Sequence, residues 1–179
     1  PDLPSAGDEL RMSRVYIKEL EKIFPKMTLV HSNHSSLVYR RALKYGLPTD
    51  YLKSYNEYLG VSKNWEWVDD IVITLSDGSR CFFTHGMSAN ILQLSMQMGM
   101  HVVQGHYHSK FSIGYFSNPD QLVWGMQVGC LTSQSSLAFD YAKNFKSRFI
   151  MGCGMIIDGQ PKLMPMVFGK DGEWIKKIA

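Results

Sequence analysis

Apolar residues recur along the chain at two spacings, one typical of amphipathic helices and one typical of short buried strands. Helical spacing predicts helices at residues 5–24, 37–45, 51–59, 88–98 and 135–144. Apolar and β-branched runs predict strands at residues 27–31, 67–75, 80–84, 101–104, 111–116, 122–128, 149–158 and 163–168. Strands and helices that alternate in this way predict an α/β fold built in layers.

The ends of several elements carry signals of their own. Ser5 precedes Asp8 by three residues, which is the pattern of a capping box at the start of a helix. Gly60 and Gly99 follow predicted helices, and glycine commonly ends a helix. Residues 76–79 contain an Asp-Gly pair, which predicts a hairpin between the two strands on either side.

The composition places the chain among globular proteins. Its 179 residues are 45% hydrophobic and 20% charged, and this length predicts a single domain. The net charge of +3 comes from scattered Lys and Arg residues, so it permits a phosphate-bearing substrate without specifying one. No apolar run is long enough for a membrane helix, and we expect no membrane partner and a cytoplasmic location.

Three cysteines lie far apart in strand-like apolar surroundings, namely Cys81, Cys130 and Cys153. Their odd number and wide spacing favour neither a disulfide framework nor a zinc knuckle. We therefore expect buried, reduced thiols.

Three predicted strands end in polar residues that include histidine. The first strand leads to Asn33 and His34, the second to His85, and the third to His106 and His108. Ligands of layered α/β sheets gather beyond the carboxyl ends of strands, so these side chains are expected to converge. By contrast, the histidines at positions 31 and 101 lie within strands and are expected to be structural.

The converging groups are ligands for borderline divalent cations. Four imidazoles and one amide suit zinc, manganese, iron or nickel. In extended backbone His106 and His108 point the same way across one intervening residue, so each could bind one of two neighbouring ions. The spacing therefore favours two metal ions over one chelated ion.

These motifs resemble those of the calcineurin-like metallophosphoesterases, especially members from bacteria and their phages. In that family a strand leads to Gly-Asn-His-Asp or Gly-Asn-His-Glu, a later strand ends in His, and Gly-His-x-His follows. Residues 32–35 read Ser-Asn-His-Ser, His85 ends a strand, and residues 105–108 read Gly-His-Tyr-His. The resemblance implies a two-sheet sandwich flanked by helices, a four-layer architecture that here lacks its first strands.

The resemblance also implies a role for each motif residue. Asn33, His85 and His106 would bind one metal ion, and His108 would bind the second. His34 would act catalytically beside the scissile phosphoester, protonating the leaving oxygen or stabilising charge on the phosphoryl group. The implied activity is metal-dependent hydrolysis of a phosphoester by a dinuclear centre.

The chain departs from the family pattern in two places. Ser35 replaces the acidic residue expected after His34, and Ser32 replaces a glycine. The family's early Asp-x-His and Gly-Asp motifs have no convincing copy, because Asp8 follows no strand and suits the first turn of a helix. We therefore expect one domain over residues 1–179 that is incomplete at its amino terminus, with an upstream segment completing the site.

Two classes of function remain open. As an enzyme, the protein could be a phosphodiesterase or nuclease acting on nucleic acid, or a phosphatase acting on a small molecule. The other class is a degenerate, non-catalytic metallophosphoesterase scaffold that acts as a binding module. Ser35 and the absent early motifs favour the second class, whereas three histidines at strand ends favour the first.

Overall fold

The computed structural model describes residues 5–132, 149–171 and 173–178. The chain divides into two compact units, Pro1–Asp69 and Asp70–Ala179. The helix predicted at residues 135–144 lies outside the described residues. None of the helices in the described ranges is long and apolar enough to cross a membrane.

The amino-terminal unit combines helices with a pair of parallel strands. Its elements are α1 (Ala6–Ile23), β1 (Met27–Val30), α2 (Leu37–Lys44), a 3₁₀ turn (Thr49–Tyr51), α3 (Tyr55–Leu59) and β2 (Trp65–Val68). In the β1–β2 pair, Met27 lies opposite Trp65 and Val30 lies opposite Val68.

The start of α1 confirms the predicted capping box. The Ser5 hydroxyl accepts a hydrogen bond from the Asp8 backbone N–H at 3.2 Å, and the Asp8 carboxylate accepts one from the Ser5 N–H at 3.1 Å. Hydrogen bonds from Ser5 and Arg11 lower the pKa of Asp8. Asp8 is therefore used in the first turn of the helix, as its sequence context predicts.

Two predicted boundaries in this region are wrong. The helix predicted at residues 51–59 begins only at Tyr55, because Ser54 and Glu57 form a capping box there. The strand predicted at residues 67–75 is divided at Asp69, with β2 pairing in parallel with β1 and the following strand pairing elsewhere. The single predicted strand is thus two strands with different pairing partners, divided where Asp69 and Asp70 interrupt the apolar residues.

The carboxy-terminal unit contains two sheets and one helix. Its elements are β3 (Asp70–Thr74), β4 (Arg80–Thr84), α4 (Ile91–Met98), β5 (His101–Gln104), β6 (Phe111–Ser117), β7 (Leu122–Val128), β8 (Gly152–Ile157), β9 (Gln160–Phe168) and β10 (Trp174–Ile178). The first sheet has the order β3-β4-β5-β7-β6, with parallel pairing among β4, β5 and β7 and antiparallel edges. The second sheet is antiparallel, in the order β10-β9-β8.

Both faces of the five-stranded sheet are covered. On one face, α4 packs through Ile91 and Leu94 against Phe82 and Val102. A second core cluster lies on the other face, where the second sheet contributes two residues; its members include Cys81, Trp124, Met126, Ile156 and Leu163. The alternation of side chains along a strand explains why neighbouring residues enter different cores. The predicted mixed α/β class is confirmed, with several sheets among the described residues.

Turns and helix caps set the ends of the other strands and of the helix in this unit. The predicted hairpin at residues 76–79 is confirmed, with Leu75 N–H donating to Ser79 O at 2.8 Å. A second hairpin turn at Asp158 and Gly159, both at positive φ, joins β8 to β9 and was not predicted. The strand β10 was also not predicted. The helix predicted from residue 88 begins at Ile91, and residues 85–90 form a loop after β4.

The cysteine prediction is correct for only one of the three thiols. Cys81 is fully buried, and burial raises its pKa to about 12. Cys130 and Cys153 are free thiols as expected but only partly buried, because both lie near the edge of the second sheet.

Candidate metal centre

Two of the predicted histidines lie side by side at the ends of neighbouring strands. The strands β4 and β5 are parallel, and Thr84 lies opposite Gln104, so the residues that follow them emerge at the same edge. The distance between His85 Nε2 and His106 Nδ1 is 3.1 Å, and the ring centroids are 4.9 Å apart at 69°. The convergence expected of these two strand ends is therefore observed.

A glycine makes this close approach possible. A Cβ built on Gly86 would collide with the Cβ of His106 and lie 2.9 Å from its Cγ. Any side chain at position 86 would therefore push the loop after β4 away from His106. The spacing of the motif residues does not predict that position 86 must lack a side chain. The signal in the sequence that could have predicted it is a glycine directly after the histidine that ends a strand.

The backbone of His106 adopts a left-handed conformation, with φ of 66°. This region is uncommon for residues with a Cβ, although His visits it more often than most. Glycine would adopt it at no steric cost. Backbone strain of this kind is most common at functional sites. At His106 it occurs in an exposed residue whose imidazole lies next to a second imidazole.

His108 lies two residues after His106 and is held by contacts with residues 149 and 150. Its carbonyl accepts a hydrogen bond from the Ile150 N–H at 2.9 Å. Its ring packs edge to face with Phe149 at 5.3 Å and 89°. The half-buried His108 is therefore anchored to the segment that leads into β8, whereas His106 is exposed.

Asn33 and His34 belong to the amino-terminal unit, where both are exposed in a turn after β1. Ser32 and Ser35 hold this turn through reciprocal bonds. The Ser32 N–H donates to Ser35 Oγ at 2.9 Å, and the Ser35 N–H donates to Ser32 Oγ at 2.8 Å. Arg40 adds a hydrogen bond from Nη2 to the Asn33 carbonyl at 2.6 Å. Ser35 thus makes the cap bond that an acidic residue could make in its place.

The turn is also tied to the aromatic core of its unit. Tyr55 is buried, and its hydroxyl donates to the Ser35 carbonyl at 2.9 Å while its ring stacks on Trp67 at 5.2 Å and 14°. Burial raises the pKa of Tyr55. A neutral phenol therefore serves as a fixed donor beneath the turn.

The separation of the two imidazole nitrogens has two chemical explanations. One ring can donate a hydrogen bond to the other, since 3.1 Å is an ordinary donor–acceptor distance. Alternatively, both nitrogens can bind one cation, because ligand nitrogens at about 2.0–2.1 Å from a shared metal lie roughly 2.9–3.4 Å apart. Imidazoles are suitable ligands for zinc, manganese, iron and nickel. The distance between the two nitrogens therefore lies in the range that a shared divalent cation requires.

The ligand set is not complete in the part of the chain that the structure describes. There, no three His, Cys, Asp or Glu side chains converge closely enough to hold a metal ion. No family model matches this chain, and no curated protein does. The metal-binding roles of Asn33, His85, His106 and His108, and the catalytic role of His34, stay predictions.

The histidines expected to be structural have structural surroundings. His101 begins β5, at the opposite end of the strand from His106, and is 7% exposed. Its ring stacks on Trp124 at 4.4 Å and 9°, and its Nδ1 accepts a hydrogen bond from the Trp124 N–H at 3.1 Å. Burial lowers the pKa of His101, and the nearby Asp77 carboxylate partly opposes this effect. His31 packs against Tyr55 with ring centroids 5.1 Å apart.

Proposed function

We propose that the protein is a metal-dependent phosphoester hydrolase of the calcineurin-like metallophosphoesterase type. The observation that carries the proposal is the 3.1 Å separation of His85 Nε2 and His106 Nδ1 at the common end of two parallel strands. A hydrogen bond between neutral imidazoles would give little reason to keep His106 at a φ of 66°. A shared cation gives such a reason, because it requires both nitrogens at one place.

The rest of the proposed ligand set comes from the motif resemblance. Asn33 would bind one divalent ion together with His85 and His106, and His108 would bind the second. When bound, two such ions polarise the phosphoryl group and make a water molecule nucleophilic near neutral pH. We also propose that the two sheets of the carboxy-terminal unit belong to the four-layer sandwich typical of this family.

His34 has a separate role in the proposal. Its imidazole holds the proton that the leaving oxygen needs, or stabilises charge on the phosphoryl group. Its exposure after β1 leaves the ring accessible to a substrate. Substrates of both kinds, a phosphodiester of nucleic acid and a phosphomonoester of a small molecule, suit the same chemistry.

A specific observation favours the non-catalytic alternative. The acidic residue expected after His34 is Ser35, and its hydroxyl is engaged with Ser32 in the turn. His34 thus has no adjacent carboxylate in sequence to support a protonated imidazole. On this alternative the protein binds a partner through the same scaffold and holds one metal ion or none.

Metal content and hydrolysis together test the proposal. The purified protein is loaded with Mn²⁺, its bound metal is counted, and its activity on bis-p-nitrophenyl phosphate is measured. We expect bound Mn²⁺ that is lost in His85→Ala, and hydrolysis that depends on Mn²⁺. Metal binding without hydrolysis would favour the binding module. Absence of both in a folded protein would contradict the proposal.

A further inference from the structure

We propose that Gln104 and Gln127 are positioning residues, whose buried side-chain amides hold the loop after β4 so that His85 faces His106. The proposal depends on the proposed function only for its effect on metal affinity. Its geometric content is independent of that function, because it concerns how one loop is held.

Gln104 is the last residue of β5 and precedes the residues 105–108 that carry two histidines. Its side chain is 1% exposed and lies beneath the loop. Gln104 Oε1 accepts a hydrogen bond from the Met87 N–H at 3.1 Å, and its Nε2 donates to the Ser88 carbonyl. One side chain thus binds both a donor and an acceptor of the loop backbone, two and three residues after His85.

Gln127 extends the same arrangement on the next strand. It lies opposite Gln104 in the parallel pairing of β5 and β7, and it is 2% exposed. Its Nε2 donates to the Ala89 carbonyl at 3.1 Å. Two neighbouring strands therefore present two amides to three successive residues of the loop, from Met87 to Ala89.

Stability alone does not account for the Gln127 amide. Among the described residues its Oε1 is buried without a hydrogen-bond partner. Burying a polar atom that finds no partner costs more than one hydrogen bond returns, so an apolar side chain of similar size would suit the core as well or better. The hydrogen bond from the Gln127 amide fixes the position of Ala89. It thereby constrains the loop that runs from His85 to α4.

Gln104 also positions the loop, and it does so through two backbone hydrogen bonds where Gln127 makes one. The loop residues have no regular secondary structure to satisfy their backbone groups, and a partly buried backbone group needs a partner. Gln104 satisfies groups of Met87 and Ser88 at once. These two bonds hold the residues that directly follow Gly86, the glycine in close contact with His106.

The test uses the full chain with Gln127→Leu and Gln104→Met, and Val102→Ala as the matched control. Val102 is fully buried on β5, on the face covered by α4, and its truncation weakens the core without touching the loop. Three quantities are measured: nuclear Overhauser contacts between the His85 and His106 rings in metal-free protein, the Kd for Mn²⁺, and the Tm.

We expect Gln127→Leu to keep or raise the Tm, to weaken the contacts between the two rings, and to raise the Kd for Mn²⁺ about tenfold or more. Gln104→Met should weaken the same contacts and the same affinity. Val102→Ala should lower the Tm and leave the ring contacts and the Kd unchanged.

Each other outcome decides the question. Unchanged ring contacts in both glutamine variants would overturn the proposal, as would a Tm loss in Gln127→Leu that matches the loss in Val102→Ala. If the wild-type protein binds no Mn²⁺ but the ring contacts still depend on the two amides, the positioning role stands and the proposed function fails.

Discussion

Gly86 passes so close to His106 that a Cβ at position 86 would lie 2.9 Å from the Cγ of the imidazole. The loop after β4 and the turn after β5 are therefore fitted to each other at one glycine. Gly86 directly follows His85, whose Nε2 lies 3.1 Å from His106 Nδ1, so this contact makes the separation of the two imidazoles sensitive to a single methyl group.

Gly86→Ala should separate the two imidazoles. The added methyl group must move either the loop or His106, which should lower the free energy of unfolding by about 1–3 kcal/mol. We expect the Kd for Mn²⁺ to rise by about tenfold or more, measured by isothermal titration calorimetry. Gly105→Ala is the matched control, because a Cβ there would lie 3.7 Å from the His85 carbonyl oxygen, an ordinary contact. Equal metal affinity in the two variants would argue against the close contact.

His106→Gly and His106→Ala should differ in stability although both remove the imidazole. Both should lose tight metal binding. The backbone at position 106 has φ of 66°, which costs a residue with a Cβ about 1 kcal/mol more than it costs glycine. We therefore expect the glycine variant to melt about 2–4 °C above the alanine variant. Equal Tm values would mean that residue 106 does not hold this conformation in solution.

His34→Ala should separate chemistry from metal binding. We expect bound Mn²⁺ to stay at the wild-type level while kcat falls by about 10²- to 10⁴-fold, the usual contribution of a general acid. His85→Ala should instead lose metal together with activity. The measurement is metal stoichiometry alongside hydrolysis of bis-p-nitrophenyl phosphate. Loss of metal in His34→Ala with unchanged turnover per bound ion would reverse the assigned roles.

His101 should make stability fall in mild acid. Burial lowers the pKa of His101 below its usual 6.5, so as the pH drops the unfolded chain takes up a proton before the folded chain does. The stabilisation due to neutral His101 is complete above the unfolded pKa and is lost as the pH falls towards the folded value. We expect the Tm to decline less between about pH 7.5 and pH 5 in His101→Asn, which keeps an acceptor for the Trp124 N–H but cannot titrate. Parallel pH profiles in the two proteins would contradict this.

Local signals in the sequence predicted much of the secondary structure. The Ser5 and Asp8 pair marked the start of α1, and the strands β4 and β5 were predicted with the boundaries that the structure has. Helix caps and the spacing of apolar side chains depend on residues that are close together in the chain, so they can be predicted from the sequence.

Apolar spacing along the chain predicts three strands that lead to histidines, but it does not predict which of those histidines come into contact. Pairing of β4 with β5 in the register that sets Thr84 opposite Gln104 brings His85 to His106. A change of pairing partner at Asp69 divides the strand predicted at residues 67–75 into two. The glycine contact and the two buried glutamine amides also depend on that register. Apolar spacing reports whether a strand is buried, but hydrogen bonding between strands joins residues far apart in the chain, and its partners are chosen by the packing of the whole core.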